Sequence, residues 1–195
     1  MLEQKSINEN KSVFYPPGGI LIWLIMMVEI ITFLGGVFIF MYYRNVEVDA
    51  FAFYRSQIHP VWGTVNTIVL ITSGYFMANA IVKLKLADTD GAVGYMGWAL
   101  FLGILFLMIK AGEYYLKLEE GFGMGHDTFF TLYWLMTGFH FIHVLFGVGL
   151  LAYMRVAVKK RKYSAKDFAD VEASGTYWHM CDLIWILIFP ILYLI

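Results

Sequence analysis

His140 and His143 stand three residues apart in TGFHFIHVLFG, and His179 and Asp182 repeat that spacing in TYWHMCDLIWILIFP. Positions i and i+3 share a helix face, so each pair can meet. Three imidazoles and a carboxylate are the donor types of a zinc or iron site, which needs three or four such groups converging with partners behind them. A Glu-x-x-His pair from each of two helices, the mark of a di-iron bundle, is absent. The same side chains can also satisfy one another without metal, with His179 bonded to Asp182 and the other two histidines bonded across helices. Spacing alone leaves both readings open, and the missing Glu-x-x-His pattern favours the metal-free one.

Three further ionisable residues lie in apolar surroundings. Lys110 and Glu113 are again i and i+3, in FLMIKAGEYY, and can form an ion pair or snorkel from a helix end towards headgroups. Glu29 sits alone in WLIMMVEIITFLGG. A charge at the centre of a membrane helix costs about 2.5–3.5 kcal/mol on insertion scales, so its position needs a reason. One reason is a neutral interhelical hydrogen bond worth about 1 kcal/mol. The other is a carboxyl that faces a wet cleft or lipid headgroups and has a function there.

These residues need elements to hold them, and the composition says which. Of 195 residues, 60% are hydrophobic and 15% charged, too apolar for an ordinary soluble domain. Five stretches, about 19–42, 62–82, 93–116, 129–155 and 177–195, reach the roughly 20 apolar residues that cross a bilayer. The segments between them are polar or turn-forming, and no linker, internal repeat or second domain is visible. The predicted fold is all-α, a single integral membrane bundle of five transmembrane helices over residues 1–195. The polar first 15 residues, followed by an over-long apolar run, do not read as a cleavable signal. A net charge of −1 offers no basic surface for nucleic acid, and the single Cys181 excludes a disulfide framework.

Positive charge is unevenly divided. Lys5 and Lys11, Lys83 and Lys85, and the six Lys and Arg of 155–166 fall on one side, ten in all, against Arg44, Arg55 and Lys117 on the other. The positive-inside rule then places the N-terminus in the cytoplasm and the C-terminus outside. Glycines such as Gly35, Gly36, Gly103, Gly138 and Gly147 permit close helix approach, and Tyr42, Trp62, Trp98, Tyr114 and Tyr177 fit an interfacial belt.

Taken in order, the motifs resemble those of subunit III of the haem–copper respiratory oxidases, the cytochrome c oxidase subunit III family. Glu29 matches that family's intramembrane glutamate. VNTIVLITSG, KAGEYY, TGFHFIHVLFG and VEASGTYWHMCDLIW follow in the family's order along nearly the whole chain. The resemblance implies a non-catalytic subunit in the bacterial inner membrane that packs on subunit I, binds phospholipid and supports proton uptake during aerobic respiration. It implies no haem and no metal in this chain, with haem and copper in subunit I and copper in subunit II. It also implies that Lys110, Glu113, His140, His143, Glu172, Trp178, His179, Asp182 and Trp185 form a structural polar network, and that Glu29 serves lipid binding or proton uptake. The five histidines agree, since a catalytic subunit of that family uses six inside the membrane.

Two departures stand out. The mitochondrial type has seven helices, the first two forming one arm of a lipid-filled cleft, and that pair has no counterpart in these spans. Lys110 replaces the glutamine usual before Glu-Tyr. With DTFFTLYWLMTGFH it resembles short relatives encoded with nitric oxide reductase, so an accessory subunit of that enzyme is the alternative. A transporter is disfavoured, because no inverted repeat or Gly/Pro-broken helix pair appears. A stand-alone metalloenzyme on His140, His143 and His179 would require bound metal.

Overall fold

A computed structural model describes residues 19–195, with the side chain of Leu21 left aside. Lys5, Lys11 and the polar first 15 residues therefore lie outside the described residues. Among the described residues, six helices follow one another: α1 (Ile20–Val46), α2 (Val48–Ser56), α3 (Pro60–Lys85), α4 (Thr89–Glu119), α5 (Thr128–Lys159) and α6 (Ala169–Tyr193). All except α2 are long and apolar enough to cross a membrane. This is an all-α, multi-pass membrane protein.

Local sequence explains the breaks. Glu47 leaves helical geometry between α1 and α2, and the nine-residue α2 buries Phe51 on one side while exposing Phe53 on the other. Its sequence, VDAFAFYRS, mixes charged and apolar residues and reads as a polar loop, which is why only five helices were expected. Pro60 opens α3, where its fixed φ suits a first turn and its missing N–H is not needed. Ala87 takes a left-handed φ of 61° to reverse the chain. Asp88 and Asp127 then cap α4 and α5, accepting hydrogen bonds from the Gly91 and Phe130 amides, each at 2.9 Å.

The bundle is built around α6. Half of its apolar stretch is buried, against 17% for α1, the least covered span. Helices α3 and α4 pack along their lengths as an antiparallel hairpin, α6 lies against α3 and α5, and α1 rests on α5 and α6. Most spans turn large apolar side chains outward, including Phe38, Ile68, Phe101, Met108, Ile142 and Leu183. In water that surface would be a liability; against lipid chains it is what a span needs.

Candidate functional site

The longest polar network lies where α4, α5 and α6 meet. Lys110 is 1% exposed and Glu113 7%. The ammonium lies 3.1 Å from Glu113 Oε2, donates to the Tyr133 hydroxyl at 3.0 Å, and donates also to Tyr193. Both phenols donate onward to Glu113 Oε1, at 2.7 Å from Tyr133 and 2.6 Å from Tyr193. Every Lys110 proton is used, each phenol accepts once and donates once, and the carboxylate accepts three times. A buried ion pair is tolerated only when its remaining hydrogen-bonding capacity is filled in this way. Lys110 therefore does not snorkel. Helix α4 runs to Glu119, placing Lys110 about 13 Å from its end at 1.5 Å per residue. The Tyr114 and Trp185 rings, with centroids 5.0 and 5.3 Å from Nζ, complete its surroundings.

Two tryptophans continue the network along α6. Trp185 donates its indole N–H to Thr67 at 3.0 Å, and Trp178 donates to Ser73 at 3.1 Å. Ser73 passes its own proton to the Ala99 carbonyl of α4 at 2.7 Å. Trp178 fits only because Gly103 and Gly147 face it. A Cβ at either position would lie 2.7 or 2.9 Å from the indole, closer than carbon atoms approach.

The other candidates divide. Glu29 has no neighbour in sequence to neutralise it, yet the fold supplies one: its Oε2 lies 3.1 Å from His143 Nε2, joining α1 to α5. His143 Nδ1 is 2.7 Å from the Phe139 carbonyl, so Nδ1 carries a proton. Both side chains are half-buried at the bundle surface. His179 and Asp182 meet at 3.2 Å, and Asp182 packs so tightly on Gly74 of α3 that a Cβ there would sit 2.1 Å from Oδ2.

His140 departs from expectation. It is fully buried, but neither ring nitrogen has a hydrogen-bond partner among the described residues. It stacks on Trp185 with centroids 5.2 Å apart and meets Phe106 edge-on, so its neighbours are aromatic faces rather than acceptors. Although His140 and His143 share a helix face, they do not act as a pair. Glu172 also stands apart from the buried cluster, bonded to Lys85 at 2.7 Å where α3 ends and α6 begins. Among the described residues, no group of three or more His, Cys, Asp and Glu is placed to hold a metal ion. The single cysteine, Cys181, is a buried free thiol.

Tyr133, Tyr193, Thr67 and Ser73 complete the network, and sequence reasoning did not single out the tyrosines. They lie 20 to 83 positions from the groups they bind, and only the aromatic-rich ends of α5 and α6 hint at them. Outside the spans, backbone and Lys83 hydrogen bonds hold the Asp88 carboxyl below its ordinary range. In the α5–α6 connection, burial and a hydrogen bond to Asp170 push the Tyr163 phenol up to about 12.

Comparison with known proteins gives consistent matches. A protein-family model described as cytochrome c oxidase subunit III matches residues 19–195. The chain is 33% identical over 161 residues to cytochrome c oxidase subunit 3 of Synechocystis sp., covering 75% of this chain and 66% of that protein. It is 32% identical over 135 residues to the Thermostichus vulcanus subunit 3, covering 68% of this chain and 65% of that one. The chain thus spans just under two thirds of these relatives' length. A protein of Aeropyrum pernix named heme-copper oxidase subunit I+III is 30% identical over 138 residues, covering 68% of this chain and 16% of that protein.

Proposed function

The chain belongs to the cytochrome c oxidase subunit III family, and from that premise we propose that it is the non-catalytic subunit III of a haem–copper terminal oxidase in aerobic respiration. The match across all five spans carries this reading. In this role the chain packs on subunit I; the Aeropyrum relative, whose name joins subunits I and III, supports that partnership. Haem and copper belong to the partner subunits, and none of the reaction's redox steps runs through this chain. Its own work is mechanical and protonic. The Lys110–Glu113–Tyr133–Tyr193 cluster and the two indole bonds fix α3, α4, α5 and α6 against one another as a rigid wall.

Glu29 and His143 meet at the half-open α1–α5 face, 3.1 Å apart. That is the place from which this subunit supports proton uptake and retains lipid. The described charges favour the same orientation as the whole sequence: Lys83, Lys85 and the basic residues of 155–166 share one face of the bundle, which faces the cytoplasm. The membrane is then the bacterial inner membrane, with the C-terminus on the periplasmic side. The test is affinity purification of the tagged chain from its native membrane. A haem–copper subunit I should copurify in roughly equal amount, with an oxidase haem spectrum. Copurification of a nitric oxide reductase instead would favour the alternative partner, and recovery without any haem protein would overturn both.

A further inference from the structure

We propose that the outward face of α6 around His179 is a docking surface for a transmembrane helix of a partner subunit, one that offers a hydroxyl or a carboxamide to the imidazole. On the subunit III reading above, from which this follows, that partner is subunit I. Helix α6 packs against α3, α5 and α1 and leaves a stripe uncovered. His179, Leu183 and Ile186 form it, at i, i+4 and i+7, with Leu183 61% and Ile186 44% exposed. The His179 side chain is 41% exposed, against 13% for His143 and 21% for Glu29. It is the least covered of these three polar groups, and it stands on the helix that the rest of the bundle covers most.

Depth decides what can cover it. Helix α6 runs from Ala169 to Tyr193, so His179 lies about 15 Å from its start and about 21 Å from its end at 1.5 Å per residue. At that level lipid offers acyl chains and no donor or acceptor. Ionisable side chains inside spans ordinarily face the bundle interior or a wet cavity and are paired there. In this ring Nδ1 is held, 3.2 Å from Asp182 Oδ2 and against Gly74 of α3, where a Cβ would lie 3.3 Å from it. Nε2 is accessible and makes no hydrogen bond among the described residues. Asp182 Oδ1, which is buried, also lacks a partner among them. A headgroup does not reach mid-span, whereas a neighbouring helix carries polar side chains to any depth. A charged side chain there would add a second costly charge beside Asp182. A hydroxyl or carboxamide both donates and accepts, so it matches Nε2 in either ring tautomer, and such bonds join membrane helices elsewhere.

Photo-crosslinking in the native membrane tests the face. With benzoylphenylalanine placed at Leu183, illumination should join this chain to subunit I. Mass spectrometry should map the attachment to a transmembrane helix with Ser, Thr, Tyr, Asn or Gln within one turn. Leu183→Trp adds bulk to the same exposed position, so the isolated chain should unfold as the wild type does. Retention of subunit I by the complex should nevertheless weaken about tenfold, the effect of one overpacked side chain. Attachment to lipid alone, attachment to a segment without such polar side chains, or undiminished retention in Leu183→Trp would each overturn the proposal. Attachment to such a helix of a nitric oxide reductase would keep the docking face and overturn the oxidase reading alone. Should Leu183→Trp fail to fold, the crosslink decides.

Discussion

Removing Lys110 tests the cluster on which four helices converge. Lys110→Met preserves chain length and apolar contact but takes away the ammonium. Glu113 is then left with two phenol donors and an uncompensated charge at 7% exposure. If the three lost contacts counted as average intramembrane hydrogen bonds, at about 0.6 kcal/mol each, the loss would be about 2 kcal/mol. An unpaired buried charge raises it to about 3–5 kcal/mol, and that effect dominates because the carboxylate stays largely buried. Glu113→Leu strands the ammonium and should lose a similar amount. The double variant Lys110→Met/Glu113→Leu removes both charges and should lose far less than the sum. Reversible unfolding in mixed micelles, titrated with sodium dodecyl sulfate, measures all four proteins. Additive losses, or single losses below about 1 kcal/mol, would show that the cluster does not act as a buried charged unit.

Gly147→Leu should destabilise by about 1–3 kcal/mol through overpacking on Trp178, with quenched or shifted tryptophan emission as the check; a neutral effect would mean that α5 and α6 separate easily. His179→Ala and Asp182→Ala should be less than additive in a double-mutant cycle, because the 3.2 Å contact is lost with either. The lowered Asp88 pKa has a defined sign. Its contribution to the start of α4 is complete above the unfolded aspartate value and fades as pH falls through the lower folded value. Faster hydrogen exchange at the Gly91 amide should appear only in acid, and Asp88→Asn should remove the pH dependence.

The spans were legible because lipid imposes one rule: about 20 apolar residues in a helix. Local pairs were legible for a related reason, since i and i+3 put Lys110 beside Glu113 and His179 beside Asp182 on one helix face. The short α2 was not, because its nine residues carry charge and aromatics together and only Phe51 is buried. Nor was the depth of Lys110, which depends on how far α4 continues beyond the apolar run, through Leu116, Lys117 and Leu118 to Glu119. His140 shows the limit most clearly. Its spacing to His143 suggested a shared role, but one turn of helix sends His143 to Glu29 and His140 into Trp185 and Phe106. Partners from other helices decide such a residue, and they lie tens of positions away.

The central claim is that this chain supports a haem–copper oxidase without performing its chemistry. Oxygen consumption by the purified complex, followed from the first turnovers to prolonged cycling, tests it most directly in three forms: complete, stripped of this chain, and carrying Glu29→Gln. The stripped complex should keep its haem spectrum and reduce oxygen at first, then lose activity sooner. The Glu29→Gln complex should assemble and fall between the other two. Immediate loss of oxygen reduction with loss of haem from the stripped complex would contradict the account, and so would identical lifetimes in all three.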